Sequence, residues 1–226
     1  MEQAGRRWER ALLPWLKDFG FSQSEHDTCV FQCSKEIGSG KSKRSETLLL
    51  GVYVDDLAVA YKQSGAGSLY QSFTEALRDW KVKDAAALHD LLGVEFERTE
   101  GHIALKQTAY ITKLVERYVI GPIAKPGKGN ATPCGKELKG HVESLTFAVK
   151  NIKFQDRVPV EPKLLKEYQS LVGALLYCAT NTRPDVAYSV GLLCRGMSCP
   201  DAQLLTMAHR VLEYLYHTRQ LGLRYV

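Results

Sequence analysis

Tyr53-Val54-Asp55-Asp56 is the stretch of this chain best equipped for chemistry. Two adjacent carboxylates repel each other and lose hydration when the turn that holds them packs on a sheet, so a cation or open solvent must neutralise them. A divalent metal does this, because hard Mg²⁺ (or Mn²⁺) takes carboxylate oxygens and keeps positions for substrate phosphates. A pair of such ions can activate a hydroxyl and stabilise a leaving pyrophosphate. Asp55 and Asp56 are therefore the candidate catalytic and metal-ligating residues, and an Asp-rich β-turn is the competing reading. Other sets are weaker. Gly38-Ser39-Gly40-Lys41-Ser42 looks like the end of a phosphate loop, but the full pattern needs glycine where Lys35 stands, so the stretch reads as a flexible hairpin loop. The six cysteines are too few and too irregularly spaced for a disulfide scaffold, and none has the histidine spacing of a zinc finger. Cys29 and Cys33 read as buried thiols sharing one strand face.

The elements that must position the doublet follow from periodicity. Residues 28–33 and 47–54 are rich in strand formers and are separated by a polar run, which predicts an antiparallel pair. Leu57-Ala58-Val59-Ala60-Tyr61 resumes strand character, so the two carboxylates fall at the apex of a tight hairpin. Ahead of them Trp8, Leu12, Trp15, Leu16 and Phe19 keep helical spacing as far as Gly20, with Pro14 interrupting that helix early. Leu69, Phe73, Ala76, Leu77 and Trp80 predict a helix against the sheet. A second hairpin is predicted for residues 92–96 and 102–105, joined by Glu100-Gly101, and a helix then carries Tyr110, Ile111, Leu114 and Tyr118. Residues 121–163 hold eight bases against four acids with little periodicity, and read as a basic loop or linker. Beyond them Tyr168, Leu171, Val172, Leu175, Leu176 and Ala179, and then Leu204, Leu205, Ala208, Val211, Leu212 and Leu215, keep helical period. Pro184, preceded by Thr182-Arg183, starts a helix between them. The fold class is α+β, with a mixed first half and a helical second half.

Further stretches, in order along the chain, carry a resemblance. They are Gln3-Ala4-Gly5-Arg6-Arg7-Trp8; Gly20-Phe21 with Ser24, Asp27 and Cys29-Val30-Phe31; the Tyr53–Asp56 turn; Leu92-Gly93-Val94-Glu95 followed by Gly101-His102-Ile103-Ala104-Leu105-Lys106-Gln107; Ala131-Thr132-Pro133; Tyr168 through Leu171-Val172-Gly173, Leu175 and Tyr177; Thr182-Arg183-Pro184-Asp185-Val186-Ala187-Tyr188; and His209-Arg210-Val211-Leu212 with Tyr214-Leu215. Together they resemble the copia-type reverse transcriptases (RNA-directed DNA polymerases) of LTR retrotransposons, with Gly5 where the family has proline. The resemblance implies a partial palm over residues 1–120, made of an antiparallel sheet with flanking helices and holding both the catalytic and a primer-gripping hairpin. It implies the basic linker over 121–163 and a helical thumb or connection region over 164–226. It places Tyr53, Gln3 and Arg6 near the primer and nucleotide, and Lys106, Lys113, Arg117, His209 and Arg210 toward nucleic acid. It implies Mg²⁺ or Mn²⁺ as cofactor, an RNA or DNA template-primer as partner, and a deoxynucleoside triphosphate in the complete enzyme.

The family also brings a third carboxylate from an earlier palm strand and continues into a ribonuclease H domain. This chain begins at the Gln-Ala-Pro-Arg stretch, so the fingers and first metal-binding Asp are expected to be absent, the metal weakly held and polymerisation by this chain alone improbable. The rival readings are a non-catalytic nucleic-acid-binding module and a structural or assembly protein derived from a retrotransposon.

Composition sets the outer bounds. In 226 residues, 45% are hydrophobic and 24% charged, which describes a globular chain rather than a disordered one. No 18-residue apolar run and no apolar segment behind Arg6-Arg7 appears, so the expectation is an intracellular protein, cytoplasmic or nuclear and neither secreted nor membrane-spanning. The net charge of +5 permits a polyanionic partner without demanding one.

Overall fold

Alternation along the strands decides how the first sheet faces its core. The computed structural model describes residues 2–38, 43–54, 56–62, 68–80, 87–119, 121, 123, 131–152 and 159–226, with the backbone alone for residues 2–7. Strands β1 (Ser22–Gln23), β2 (Val30–Ile37), β3 (Arg44–Tyr53) and β4 (Asp56–Tyr61) pair antiparallel in the order β1-β2-β3-β4. Phe31 and Cys33 on β2 and Leu48 and Leu50 on β3 are buried, whereas Leu49 between them is 46% exposed. A slip of one residue would turn that buried set outward, so the register is strongly specified. Helices α1 (Glu2–Phe19) and α2 (Leu69–Leu77) contribute Leu12, Leu16, Leu69, Phe73 and Leu77 to the same core. Each such side chain contributes about 1.5–3 kcal/mol when buried. Ser68 opens α2 with a capping box, its hydroxyl accepting from the Gln71 amide.

Contrary to the expectation at Pro14, α1 runs through it to Phe19. Proline removes one backbone donor, but Pro14 is exposed while Leu12 and Leu16 are buried on either side of it, and that packing carries the helix through. Cys29 is also exposed rather than a buried strand thiol, since it precedes the first residue of β2. Its Thr28-Cys29 turn is held instead by Asp27, whose carboxylate accepts from the Cys29 amide at 2.8 Å.

The chain divides into two units, Met1–Ala87 and Leu88–Val226. In the second, β5 (Asp90–Leu91), β6 (Val94–Thr99), β7 (His102–Lys106) and β8 (Leu223–Tyr225) form another antiparallel sheet in that order. Its helices are α3 (Thr108–Tyr118), α4 (Glu137–Asn151), α5 (Pro162–Asn181), α6 (Ala187–Arg195) and α7 (Ala202–His217). Their core is mostly aliphatic, with Ile111, Leu138, Val142, Leu171, Leu175, Val190, Leu193, Leu204, Val211 and Leu215 fully or almost fully buried. Two features here differ from the sequence reading. The 121–163 stretch read as a loop contains α4. Its Leu138 and Val142 are buried and its Leu145 and Val149 half-buried at helical spacing, a signal blurred by Gly140, by the charges and by Phe147 on the outer face. The half read as helical also ends in β8, which pairs Leu223 with Leu105 and Tyr225 with Ile103. A Cβ at Gly222 would collide with the Leu105 carbonyl, so only glycine admits this close approach. Among the described residues no helix is long and apolar enough to cross a membrane.

Candidate functional site

In the first unit β3 and β4 pair from Leu48↔Tyr61 through Leu50↔Val59 to Tyr53↔Asp56. Directly paired residues leave a sheet on the same side, and successive residues alternate. Because Leu48 and Leu50 point into the core, Leu49, Gly51 and Tyr53 point away from it, together with their partners Ala60, Ala58 and Asp56. Tyr53 and Asp56 therefore stand side by side on the open face at the turn end of the hairpin, both exposed. Next to them Gly51 faces Ala58, and that stretch of the sheet is almost bare of side chains. Val54 takes φ +54°, a left-handed angle that a β-branched residue rarely adopts. Asp55, the other carboxylate of the doublet, lies outside the described residues, as do Ser39 to Ser42 of the glycine-serine loop. Gln3 and Arg6 lie on α1, with side chains outside the described ones.

An exposed carboxylate is a donor of the kind Mg²⁺ takes. Among the described residues, however, no group of three or more His, Cys, Asp or Glu side chains is arranged to hold a metal ion. The described part of the donor set, Asp56, suits a hard cation in kind.

The second unit holds the second hairpin and the candidate cations. Lys106 on β7 reaches the Glu97 carboxylate of β6 at 2.6 Å, so most of its charge is answered within the hairpin. Glu95 Oε1 accepts from the Ala109 amide at 2.5 Å, where the positive end of the α3 dipole favours a carboxylate. Lys113 and Arg117 lie four apart on the exposed side of α3, with the Arg117 guanidinium 5.2 Å from the Tyr118 ring centroid. On α7, His209 and Arg210 are half-buried, and Arg210 pairs with Glu137 of α4 at 3.2 Å. The structure thus places Lys113 and Arg117 on the exposed side of α3 with no ion pair among the described residues, and binds Lys106 and Arg210 into ion pairs.

Three groups that the sequence offered only as parts of the resembling motifs, with no role of their own, hold this unit together. Arg183, 1% exposed, forks onto both oxygens of Asp185 at 2.9 and 2.7 Å and also donates to the carbonyl and hydroxyl of Thr218. Partial burial alone would raise the Asp185 pKa, but the Arg183 hydrogen bonds and charge and the Tyr214 hydroxyl hold it below the ordinary value. Gln107, fully buried at the start of α3, accepts from the Thr182 hydroxyl at 2.7 Å. Tyr177 on α5 donates to the Leu92 carbonyl at 2.5 Å and meets Tyr110 edge-on. Burial, followed by the neighbouring Cys178 and Tyr177, pushes the Tyr110 hydroxyl up to about 12, so it stays neutral. An arginine directly before proline with aspartate two places on was the visible signal for the first group; the partners of the others are distant in sequence.

Comparison with known proteins places these features in context. Residues 1–126 match the family described as reverse transcriptase (RNA-dependent DNA polymerase). The whole chain is similar to a putative transposon Ty5-1 protein of Saccharomyces cerevisiae, 29% identical over 229 residues that make up 64% of that protein. It is 31% identical over 223 residues, 99% of this chain and 13% of the relative, to the retrovirus-related Pol polyprotein from transposon RE1 of Arabidopsis thaliana. The corresponding polyprotein from transposon TNT 1-94 of Nicotiana tabacum is 26% identical over 96% of this chain and 15% of its own length. The chain therefore spans less than two thirds of the length of each of these relatives. No solved structure matches it.

Proposed function

Because the chain belongs to the reverse transcriptase (RNA-dependent DNA polymerase) family and corresponds to part of a copia-type retrotransposon Pol polyprotein, we propose that its Tyr53–Asp56 hairpin is the metal-binding edge of a nucleotidyl-transfer site. The observation that carries this reading is the projection of Tyr53 and Asp56 from the open face of the first sheet, beside the bare Gly51–Ala58 stretch, where a nucleic-acid end can approach. Asp55 and Asp56 would hold Mg²⁺ or Mn²⁺, which when bound supplies charge neutralisation at the phosphates and activation of the attacking hydroxyl. Tyr53, and Gln3 and Arg6 on α1, would line the primer and nucleotide. In the same reading residues 1–120 form a partial palm and 164–226 a thumb or connection region. Lys113 and Arg117 make the principal phosphate contacts of a template-primer, with Lys106, His209 and Arg210 secondary because of their burial or ion pairs.

The resemblance, in which a further carboxylate comes from an earlier palm strand, supports a second part of the proposal: polymerisation needs a carboxylate supplied by another segment, and residues 1–226 alone do not extend a primer. The exposed cations of α3 equally favour a rival, a nucleic-acid-binding module without catalysis. Primer extension in Mg²⁺ separates the two. The chain alone is expected to be inactive, and fusion of a copia-type fingers and first-palm segment ahead of Gln3 is expected to restore activity that depends on Asp55 and Asp56. A fusion that binds primer but stays inactive with every metal would favour the rival.

A further inference from the structure

Two arginines of the second unit have their charge answered in different ways. All three nitrogens of Arg183 donate hydrogen bonds, at 2.7 to 3.1 Å. Arg210 makes one contact from Nη1 to the Glu137 carboxylate at 3.2 Å and one from Nη2 to the Thr132 hydroxyl at 3.5 Å. Its Nε is shut away from solvent and has no hydrogen-bond partner among the described residues. A guanidinium carries five N–H donors in a planar fork that meets carboxylate or phosphate oxygens two at a time, so Arg210 is short of acceptors. Glu137 is weakly held where it stands. It is the first residue of α4, its side chain is 54% exposed, and Lys136 and Lys139 lie close by in the sequence. The carboxylate folds back over Gly135, where a Cβ would collide with both of its oxygens. Among the side chains of α4 only Leu138 and Val142 are fully buried, and an exposed ion pair of this kind adds little to hold the helix.

We propose that Glu137 is an internal stand-in for a phosphate: it keeps Arg210 in reserve, and its displacement opens a phosphate site at Arg210 and the Thr132 hydroxyl. The inference rests on the nucleic-acid-binding reading above and adds to it an acidic group that opposes binding. Two phosphate oxygens meet the arginine fork more fully than one carboxylate oxygen at 3.2 Å, and the lysines beside Glu137 draw the incoming charge. While Glu137 is in place, Arg210 contributes nothing to a bound polyanion. Removing the Glu137 charge therefore adds one cation to those that phosphates can reach.

The test uses the whole chain and a fluorescent DNA duplex, read by anisotropy across a salt series. Glu137→Gln keeps the shape of the side chain and removes its charge. It is expected to tighten binding by about two- to fivefold, the worth of one exposed ion pair. It should also steepen the slope of log affinity against log salt by about 0.9, the worth of one phosphate contact. Adding Arg210→Met, which keeps the apolar stem, is expected to cancel both changes. Glu143→Gln removes the same charge from the same helix, where the carboxylate meets Lys139 at 3.9 Å, and should leave the slope unchanged. An unchanged slope in Glu137→Gln, a gain that survives Arg210→Met, or an equal gain in Glu143→Gln overturns the inference. The Arg210 Nε–H signal, followed by NMR with inorganic phosphate as the probe, reads the site independently. It should shift in Glu137→Gln at phosphate concentrations that leave the unsubstituted chain unchanged. If no form of the chain binds the duplex, the nucleic-acid reading falls. The phosphate titration then decides the reserve site by itself, and no shift in Glu137→Gln overturns that as well.

Discussion

The turns at Val54 and Leu92 put a non-glycine residue at nearly the same left-handed angle, φ +54° and +56°, but the two hairpins sustain it by different means. At the first, six paired positions join β3 to β4, and inward Leu48 and Leu50 anchor the strand below a tip where Val54 is 64% exposed. At the second, β5 offers two pairs, and a tyrosine from a distant helix bonds the turn's carbonyl. A long ladder over a buried core can impose an unfavourable turn and leave its outer face free for charged groups. A short ladder needs an external clamp, and the turn it holds is then tied to the position of that clamp.

The first and largest test of this contrast is chemical. In the fusion that supplies the further carboxylate, Asp56→Asn should lower primer extension by about a thousandfold or more while Tyr177→Phe lowers it far less, because in the proposed site Asp56 would meet the metal and Tyr177 would not. Equal losses would mean that both hairpins belong to one cooperative site.

The next test asks whether the hairpins sit in separately stable units. All three tryptophans, Trp8, Trp15 and Trp80, belong to the first unit, so their fluorescence reports that core alone. Arg183→Ala strips a buried guanidinium from Asp185 and Thr218 and should cost the second unit about 3 kcal/mol. Circular dichroism of the helices should shift to lower temperature with the tryptophan transition unmoved. Movement of both together would show that the two units unfold as one.

Charge reversal of Lys113 and Arg117 should then reduce the slope of log affinity against log salt by roughly two, about 0.9 per phosphate contact, whereas reversal of Lys106, already paired with Glu97, should reduce it by less. Equal reductions at all three positions would remove the distinction drawn between the two α3 cations and the ion-paired Lys106.

Two smaller effects sharpen the comparison of the turns. Val54→Gly should stabilise the first unit by about 1 kcal/mol by removing a left-handed β-branched residue, and Leu92→Gly should stabilise the second by less, as followed by urea unfolding. Among the described carboxyl groups, Asp185 in the second unit supplies the pH signature. A carboxyl held below its unfolded value of about 3.9 stabilises the fold above that pH, and the contribution is lost as pH falls through the lower folded value. Asp185→Asn should therefore flatten the acid end of the helical stability curve below about pH 4, with no change in the tryptophan transition.

The sequence was most informative where a pattern is local. Trp8, Leu12, Leu16 and Phe19, the alternation through Leu48 and Leu50, and the apolar strand on each side of Asp55-Asp56 carry their period within a few residues, and the helices and strands of the first unit follow them. The family was legible for the same reason, since its motifs recur in order along nearly the whole chain. Where charge or brevity masked the period, the reading failed. Gly140, the lysines and Phe147 hid α4 inside an apparent linker, and three residues are too few for β8 to show any alternation.

What the sequence alone determined is which side chains exist to do chemistry and which faces of the local elements must be buried, because propensity and alternation are properties of neighbours. Tertiary structure decided which of those side chains remain available. Arg210 is drawn to Glu137 and Lys106 to Glu97, Lys113 and Arg117 have no ion pair among the described residues, and Tyr177 crosses 85 positions of chain to hold the Leu92 carbonyl. Such pairings depend on packing that brings distant segments within a few ångströms, and no spacing along the chain encodes that distance.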